Sequence, residues 1–247
     1  MNEVMEMIEA FWDDFSTDYD AIQEESLVDI PEHVKKFLAQ EGLLPCDNLL
    51  DLAGGTGKYI PALSSLTKDY HLVDLSQQML KFARNKKCYS EKMTLIHQEQ
   101  RQFLEQTSEN TYDLVFTAMN PALDDKELLL EMNRISKKYV GILRMTFDED
   151  NLFSQVEQLF FSSQEQASGT LMANYKEWLK QLGWTFKSKT FRFLLSEKVS
   201  AKLFSDYFSD ELSSEDLNRL LSLFFGEKED YEMQRLVLFE LIYWEKH

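Results

Sequence analysis

Two periods alternate along this chain. Val4, Ile8, Phe11, Trp12, Phe15 and Tyr19 recur at spacings of three and four, which predicts an amphipathic helix over residues 3–20. Asp29-Ile30-Pro31-Glu32 is a start signal, aspartate as N-cap and proline in the first turn, for a helix that turns Val34, Phe37 and Leu38 inward and stops at Gly42. The pattern then changes to short continuous apolar runs. Leu49-Leu50-Asp51-Leu52 is long enough for one buried parallel strand. Further strands are predicted at Tyr70–Asp74, from Met93, at Thr111–Phe116 and at Tyr139–Phe147. The helices between them run from about Gly57 to Leu66 with Pro61 in the first turn, from the cap Ser76 through Met79, Leu80 and Ala83, and from Leu123 to Lys138. A helix ending at Gly183, a strand over Trp184–Leu195 and a final strand over Met233–Trp244 complete the set.

Composition narrows the class. A chain of 247 residues with 44% apolar side chains can bury a core as one domain, alone or with an accessory lobe. Its 26 basic against 43 acidic residues give a net charge of −17, which repels phosphate backbones and anionic lipid. Nucleic acid and membrane are therefore not expected as partners. Cys46 and Cys88 are the only cysteines, with no C-x-x-C and no histidine cluster, so neither a disulfide framework nor a metal site is expected. The first residues lack a basic and an apolar segment, and no run of about 18 apolar residues occurs. The expected location is cytoplasmic.

The candidate chemistry lies just after the first apolar run. Ala53, Gly54, Gly55 and Gly57 follow it with only Thr56 between. Glycine reaches positive φ without a Cβ penalty, so the strand can turn sharply and a ligand can approach the backbone. This is the layout of a nucleotide-type cofactor site at the carboxyl end of a first strand. The dinucleotide pattern G-x-G-x-x-G does not fit, because Tyr59 and Ile60 stand where its last glycine belongs. Asp74 follows Asp51 by roughly the 20 residues expected of an acid that receives both hydroxyls of a ribose. His97, alone at a strand end, reads as structural.

Acidic-x-small-x-Gly-x-Gly, spelled Asp51 to Gly57, resembles motif I of the class I S-adenosylmethionine-dependent methyltransferases, with Ala53 in place of the first glycine. Asp74-Leu75-Ser76 with Met79-Leu80 resembles the segment after the second strand of that family. Phe11-Trp12 through Tyr19-Asp20 resembles the segment that closes over its cofactor. The resemblance implies a Rossmann-like α/β sandwich with a seven-stranded, mostly parallel sheet whose last strand is antiparallel, plus a helical insertion. It implies one domain over 1–247: cap helices 1–45, a cofactor-binding core 46–195, an insertion 196–230 and a final strand 231–247. The implied activity is methyl transfer from S-adenosyl-L-methionine to a small-molecule acceptor by in-line displacement, and the alternative is a catalytically silent sensor or scaffold of the same fold.

By the same resemblance the cofactor-binding residues are Tyr19, Asp51, Ala53, Gly54, Gly55, Gly57, Asp74, Leu75, Glu99, Gln100 and Thr117. Glu99 stands at the position of an adenine-binding acid, and Asp51 inherits the methionine amino end. Asn120-Pro121 matches only the start of the N-P-P-[YF] motif of amino-group methyltransferases, so a turn is the favoured reading there. Asn120 and Arg144 are the substrate-facing candidates. Arg144, inside a predicted strand, needs Asp113, Asp148 or an acidic substrate group as partner. No general base is singled out. The insertion, with helical patterns from Val199 to Phe208 and from Ser213 to Phe225, is open to three roles: a lid, a homodimer face, or a satellite on the sheet edge.

Overall fold

The computed structural model describes residues 3–86, 88, 90–161 and 167–247. Two helices lead in, α1 (Glu3–Glu24) and α2 (Ile30–Gln40). Asp29 caps α2 by accepting from Glu32 N, and Gly42 takes a positive φ of 77° where the helix stops. Strands β1 (Cys46–Leu52), β2 (Thr67–Asp74), β3 (Met93–His97), β4 (Tyr112–Ala118) and β5 (Ser136–Asp150) follow. Between them come α3 (Ile60–Leu63), α4 (Gln77–Arg84), α5 (Gln100–Gln106) and α6 (Lys126–Ile135). The chain continues through α7 (Phe153–Phe160), α8 (Ala167–Gln181), β6 (Lys187–Ser200), α9 (Ala201–Phe208), α10 (Ser214–Phe224) and β7 (Asp230–Glu245).

The seven strands form one sheet in the order β3-β2-β1-β4-β5-β7-β6. Registers Leu49↔Tyr70, Leu50↔Val115, Val73↔Ile96 and Val115↔Val140 make the first five strands parallel. β7 runs against both neighbours: Lys246 donates to Lys138 O and Asn151 to Gln234 O on the β5 side, while Ser188 meets Glu240 and Ser196 meets Glu232 on the β6 side. The fold is thus the mostly parallel Rossmann-like sandwich with its last strand antiparallel. Sheet order reverses at β1 and β4, the switch point where open α/β sheets bind ligands at their carboxyl edge.

Two compact units divide the chain. The first holds residues 1–144, 171–190 and 240–247, and the second 145–170 and 191–239. In the first, Leu50, Leu52, Val115, Val140 and Ile242 from the sheet pack against Leu129, Met132, Tyr175 and Leu179 from helices. In the second, Phe204, Phe208, Leu220 and Phe225 close over Leu152, Val156 and Met233. A cluster of that size is the apolar partner that two added helices require. Among the described residues no helix is long and apolar enough to cross a membrane.

Several boundaries differ from the pattern. The helix expected over Gly57–Leu66 shrinks to Ile60–Leu63 plus a 3₁₀ turn over Ser64–Leu66, because Gly55 and Gly57 hold positive φ values of 56° and 76° and keep the chain turning. The helix expected over Leu123–Lys138 starts only at Lys126, where Asp125 caps it by accepting from Leu128 N. Helix α7 has no counterpart in the predicted elements. Asp150 nucleates it, its carboxylate accepting from Leu152, Phe153 and Ser154 N.

Candidate functional site

At the switch point β1 and β4 end side by side, and a cavity of ≈ 260 Å³ opens over them. Tyr19, Ala53, Gly55, Asp74, Leu75, Glu99, Gln100 and Asn120, all named by the sequence, line it. Asp51, Gly54, Gly57, Thr117 and Arg144 do not. Residues outside the expected binding set complete the wall: Met5, Ile8, Trp12 (from the segment expected to close over the cofactor) and Gln23 from α1, Val73 and Met79, Gln98, and Ala118, Met119, Pro121 and Ala122 at and after the end of β4. The aromatic rhythm of α1 was the available signal for Trp12; Met119 carried none.

The three glycines of the turn have different jobs. A Cβ on Gly54 would sit 2.6 Å from Leu72 Cγ and 2.9 Å from Asp51 Cγ, and one on Gly57 would sit 2.6 Å from Ile60 Cδ1 and 3.2 Å from Ala83 Cα. Both are bare for the protein's own packing. Gly55 alone faces open space, with Tyr19 Cε1 at 3.7 Å as its nearest neighbour. Ala53 and Met119 hold φ values of 54° and 55°, a left-handed conformation costly for residues with a Cβ, and both lie on the cavity wall.

Asp74 ends β2 at the rim. Its Oδ2 accepts from Gly55 N at 2.8 Å and its Oδ1 from Ser76 N at 2.9 Å, so the carboxylate is turned toward the glycine turn. Burial raises its pKa, and those two N–H groups oppose the rise. Asp51 lies deeper, 1% exposed. Its Oδ2 accepts from the Tyr70 hydroxyl at 2.6 Å while its Oδ1 has no partner. Burial pushes its pKa up to about 7, with the Tyr70 hydrogen bond opposing and Asp74 adding to the rise. Thr117 donates to Leu52 O at 2.7 Å and ties β4 to β1 beneath the cavity.

On the far wall, Glu99 caps α5: its Oε1 accepts from Arg101 N and its Oε2 from Gln102 N, both at 2.8 Å. Gln100 and Asn120 lock one another. Asn120 Nδ2 donates to Gln100 Oε1, Asn120 Oδ1 accepts from Ala122 N, and Gln100 Nε2 donates to Ala122 O. This ring of bonds shapes the chain after β4. Arg144 reaches the same segment from β5, donating from Nη1 to Asn120 O at 2.7 Å. Asp113 and Asp148 are engaged elsewhere, with Lys138 and Arg235.

Helix α1 roofs the cavity, held mainly by polar ties. Glu9 meets His97 Nε2 at 2.8 Å, Asp13 Oδ1 accepts from Ser76 Oγ and Gln78 N, and Lys86 bridges Asp20 and Glu24. Only Ser16 of this helix is fully buried, while Val4, Met7 and Phe11 stay exposed. Trp12 and Phe15 set Tyr19 in place through edge contacts at 6.2 and 6.0 Å. Burial, then Asp74 and Asp51, raise the Tyr19 pKa, so the ring stays neutral and its face is available to a cation.

The site residues fit an adenosine-bearing cation: an unpartnered buried carboxylate oxygen, a bare Gly55, a rim carboxylate and aromatic rings. Residues 49–139 match a family described as a methyltransferase domain. No curated protein sequence matches the chain significantly. Among solved structures, the precorrin-6y C5,15-methyltransferase of Geobacter metallireducens is similar with a TM-score of 0.54 at 14% identity, over 89% of this chain and 90% of that one. A DhpI–SAM–HEP complex gives 0.51 at 14% identity, over 96% and 98%. The precorrin 8W decarboxylase of Methanobacterium thermoautotrophicum gives 0.53 at 10% identity, over 86% and 89%. At these identities the structural likeness shows the fold.

Proposed function

We propose that this chain, whose residues 49–139 match a methyltransferase domain, is a class I S-adenosylmethionine-dependent methyltransferase that transfers a methyl group from S-adenosyl-L-methionine to a small-molecule acceptor by in-line displacement. The observation that carries this reading is Asp74 fixed against Gly55 N at the rim of a cavity whose floor is the only turn glycine facing open space. The cofactor supplies an electrophilic methyl on a sulfonium. Every other task falls to the chain.

Asp74 keeps lone pairs beyond those given to Gly55 and Ser76, so it can receive two vicinal hydroxyls. Asp51 Oδ1, lacking any partner, suits an ammonium group reached across the turn. Tyr19 and Trp12 offer ring faces that attract a cation by about 0.5–2 kcal/mol. The locked Gln100–Asn120–Ala122 segment gives the acceptor a rigid wall, and orientation of that kind is worth about 7–11 kcal/mol of barrier. Positioning is the main task, and no side chain is assigned as a base. The strongly negative chain favours a small acceptor over nucleic acid.

S-adenosylhomocysteine at about a hundred times its dissociation constant adds about 2.7 kcal/mol. In a chain of this size that raises the melting temperature by about 5–10 °C. Asp74→Ala is expected to erase the shift. Calorimetry showing neither the cofactor nor its demethylated product binding at millimolar concentration refutes the reading. Formation of S-adenosylhomocysteine on adding cell extract distinguishes an enzyme from a binding protein of the same fold.

A further inference from the structure

Charge inside the cavity has one sign. Among the described residues that line it, the charged side chains are two carboxylates, Asp74 and Glu99, and no lysine, arginine or histidine reaches the wall. Basic groups on the surrounding elements are engaged elsewhere: Lys86 with Asp20 and Glu24, His97 with Glu9, and Arg101 with Asp125. Ile8 and Trp12 from α1 and Met119, Pro121 and Ala122 after β4 present apolar surface. The amides of the wall are tied down, Gln98 donating to Gln106 while Gln100 and Asn120 bond one another.

This lining restricts the acceptor. An anionic group entering the cavity would lose its hydration with no cation to replace it, in a chain already at −17. A protonated amine has no lone pair to offer and would meet a like charge on the sulfonium. Freeing its lone pair takes a base, and the wall offers none. Asp74 is turned to the ribose position and accepts from Gly55 and Ser76 N, and Glu99 caps α5. The Tyr19 phenol, its pKa raised by burial and then by Asp74 and Asp51, keeps its proton. The nucleophile must therefore arrive with a lone pair and no proton to lose.

We propose that the methyl acceptor is an uncharged heteroaromatic molecule methylated on a ring nitrogen, and that the product is an onium cation. This rests on the methyl-transfer reading of the same cavity and specifies the class of its acceptor. The nitrogen lone pair forms the new bond to the methyl carbon, the sulfur keeps the pair from the bond that breaks, and no proton is released. The positive charge passes to the product, so the cavity faces one cation before and after the step. The carboxylates of Asp74 and Glu99 and the rings of Trp12 and Tyr19 suit that charge in both states. Met5, Met79 and Met119 add thioethers, which make favourable contacts with aromatic rings.

The test is calorimetry on the full chain loaded with either of two inert cofactor forms. Sinefungin carries an ammonium where the methyl sulfonium would stand, and S-adenosylhomocysteine is uncharged there. The probes share one ring system: quinoline, quinoline-2-carboxylate and N-methylquinolinium. Quinoline is expected to bind the sinefungin-loaded chain, and the carboxylate is expected to bind neither form. N-methylquinolinium is expected to bind the S-adenosylhomocysteine-loaded chain about tenfold or more tightly than the sinefungin-loaded one. Met119→Lys, an unbranched side chain of similar length, is expected to weaken N-methylquinolinium about tenfold and to admit the carboxylate. Ile8→Lys, at a position 38% exposed, carries the comparison if Met119→Lys does not fold. The inference is overturned by a carboxylate that binds as well as quinoline, by no binding of quinoline, or by N-methylquinolinium that ignores the charge on the cofactor. Unchanged probe affinities in either folded variant overturn it as well. Failure of S-adenosylhomocysteine itself to bind instead overturns the cofactor reading, on which the acceptor depends.

Discussion

Removing the Tyr70 hydroxyl isolates the behaviour of the most deeply buried acid. Tyr70→Phe keeps the ring and deletes the only side-chain hydrogen bond that Asp51 receives among the described residues. In the folded protein the Asp51 pKa moves from 3.8 to about 7, so the native state holds that proton more tightly than the unfolded chain. The associated stability is fully present below the unfolded value and is lost as pH climbs to about 7, in all about 4 kcal/mol. The phenol limits that loss by stabilising the charged form. A hydrogen bond to a charged group contributes about 1.5–3 kcal/mol, a neutral one about 0.5–1.5. Tyr70→Phe should therefore cost about 1 kcal/mol at pH 5.5, where Asp51 is protonated, and about 2–3 kcal/mol at pH 8.5, where it is charged.

Urea unfolding of both proteins across that pH range measures the difference, and an unchanged dependence on urea confirms that the native states are comparable. The titratable groups facing Asp51 are Tyr70, Tyr59, Tyr19 and Asp74; burial raises the pKa of all three tyrosines above its ordinary value, leaving Asp74 as the other titrating neighbour. Repeating the series in an Asp74→Asn background should move the rise to lower pH, since a like charge has been removed. A penalty that is flat with pH, or larger on the acid side, refutes the assignment of the proton to Asp51.

Two other expectations test the turn and the roof. Gly57→Ala combines a left-handed φ with contacts of 2.6 Å to Ile60 and 3.2 Å to the Ala83 backbone, whereas Gly183→Ala has a similar φ of 72° and nothing within 4 Å. Urea unfolding should give about 2–4 kcal/mol for the first and only about 1 kcal/mol for the second; equal losses would mean that close packing at Gly57 contributes nothing. Because α1 is held by ion pairs and buries only Ser16, its amides should exchange with solvent far faster than those of β1 and β4, and S-adenosylhomocysteine should slow them. Exchange in α1 as slow as in the core strands would rule out a roof that opens independently.

The parallel strands were legible because burial on both faces demands a mostly apolar run, which Leu49–Leu52 and Tyr112–Phe116 display, each broken by one aspartate, Asp51 and Asp113. The glycine turn and Asp74 were legible because their spacing is local. The destinations of polar side chains were not. Asp51 and Asp74 look alike as strand-end acids, but the register Leu49↔Tyr70 and Asp51↔Leu72 puts Asp51 on the face it shares with Tyr70, one residue short of the strand end, beneath the turn. Asp74 is the last residue of its strand and reaches the rim.

That single step in depth separates an acid with a pKa near neutrality from one exposed to a ligand's hydroxyls. The step depends on a pairing between residues 19 apart, which no local pattern reports. Glu99 and Asn120 repeat the lesson. Their positions matched a motif, yet helix capping and the ring of bonds with Gln100 decide where their oxygens point. A motif of this kind locates a cavity with confidence, because backbone bareness is a property of residue type. It assigns contacts less well, because each carboxylate and amide there must also satisfy its own buried neighbours.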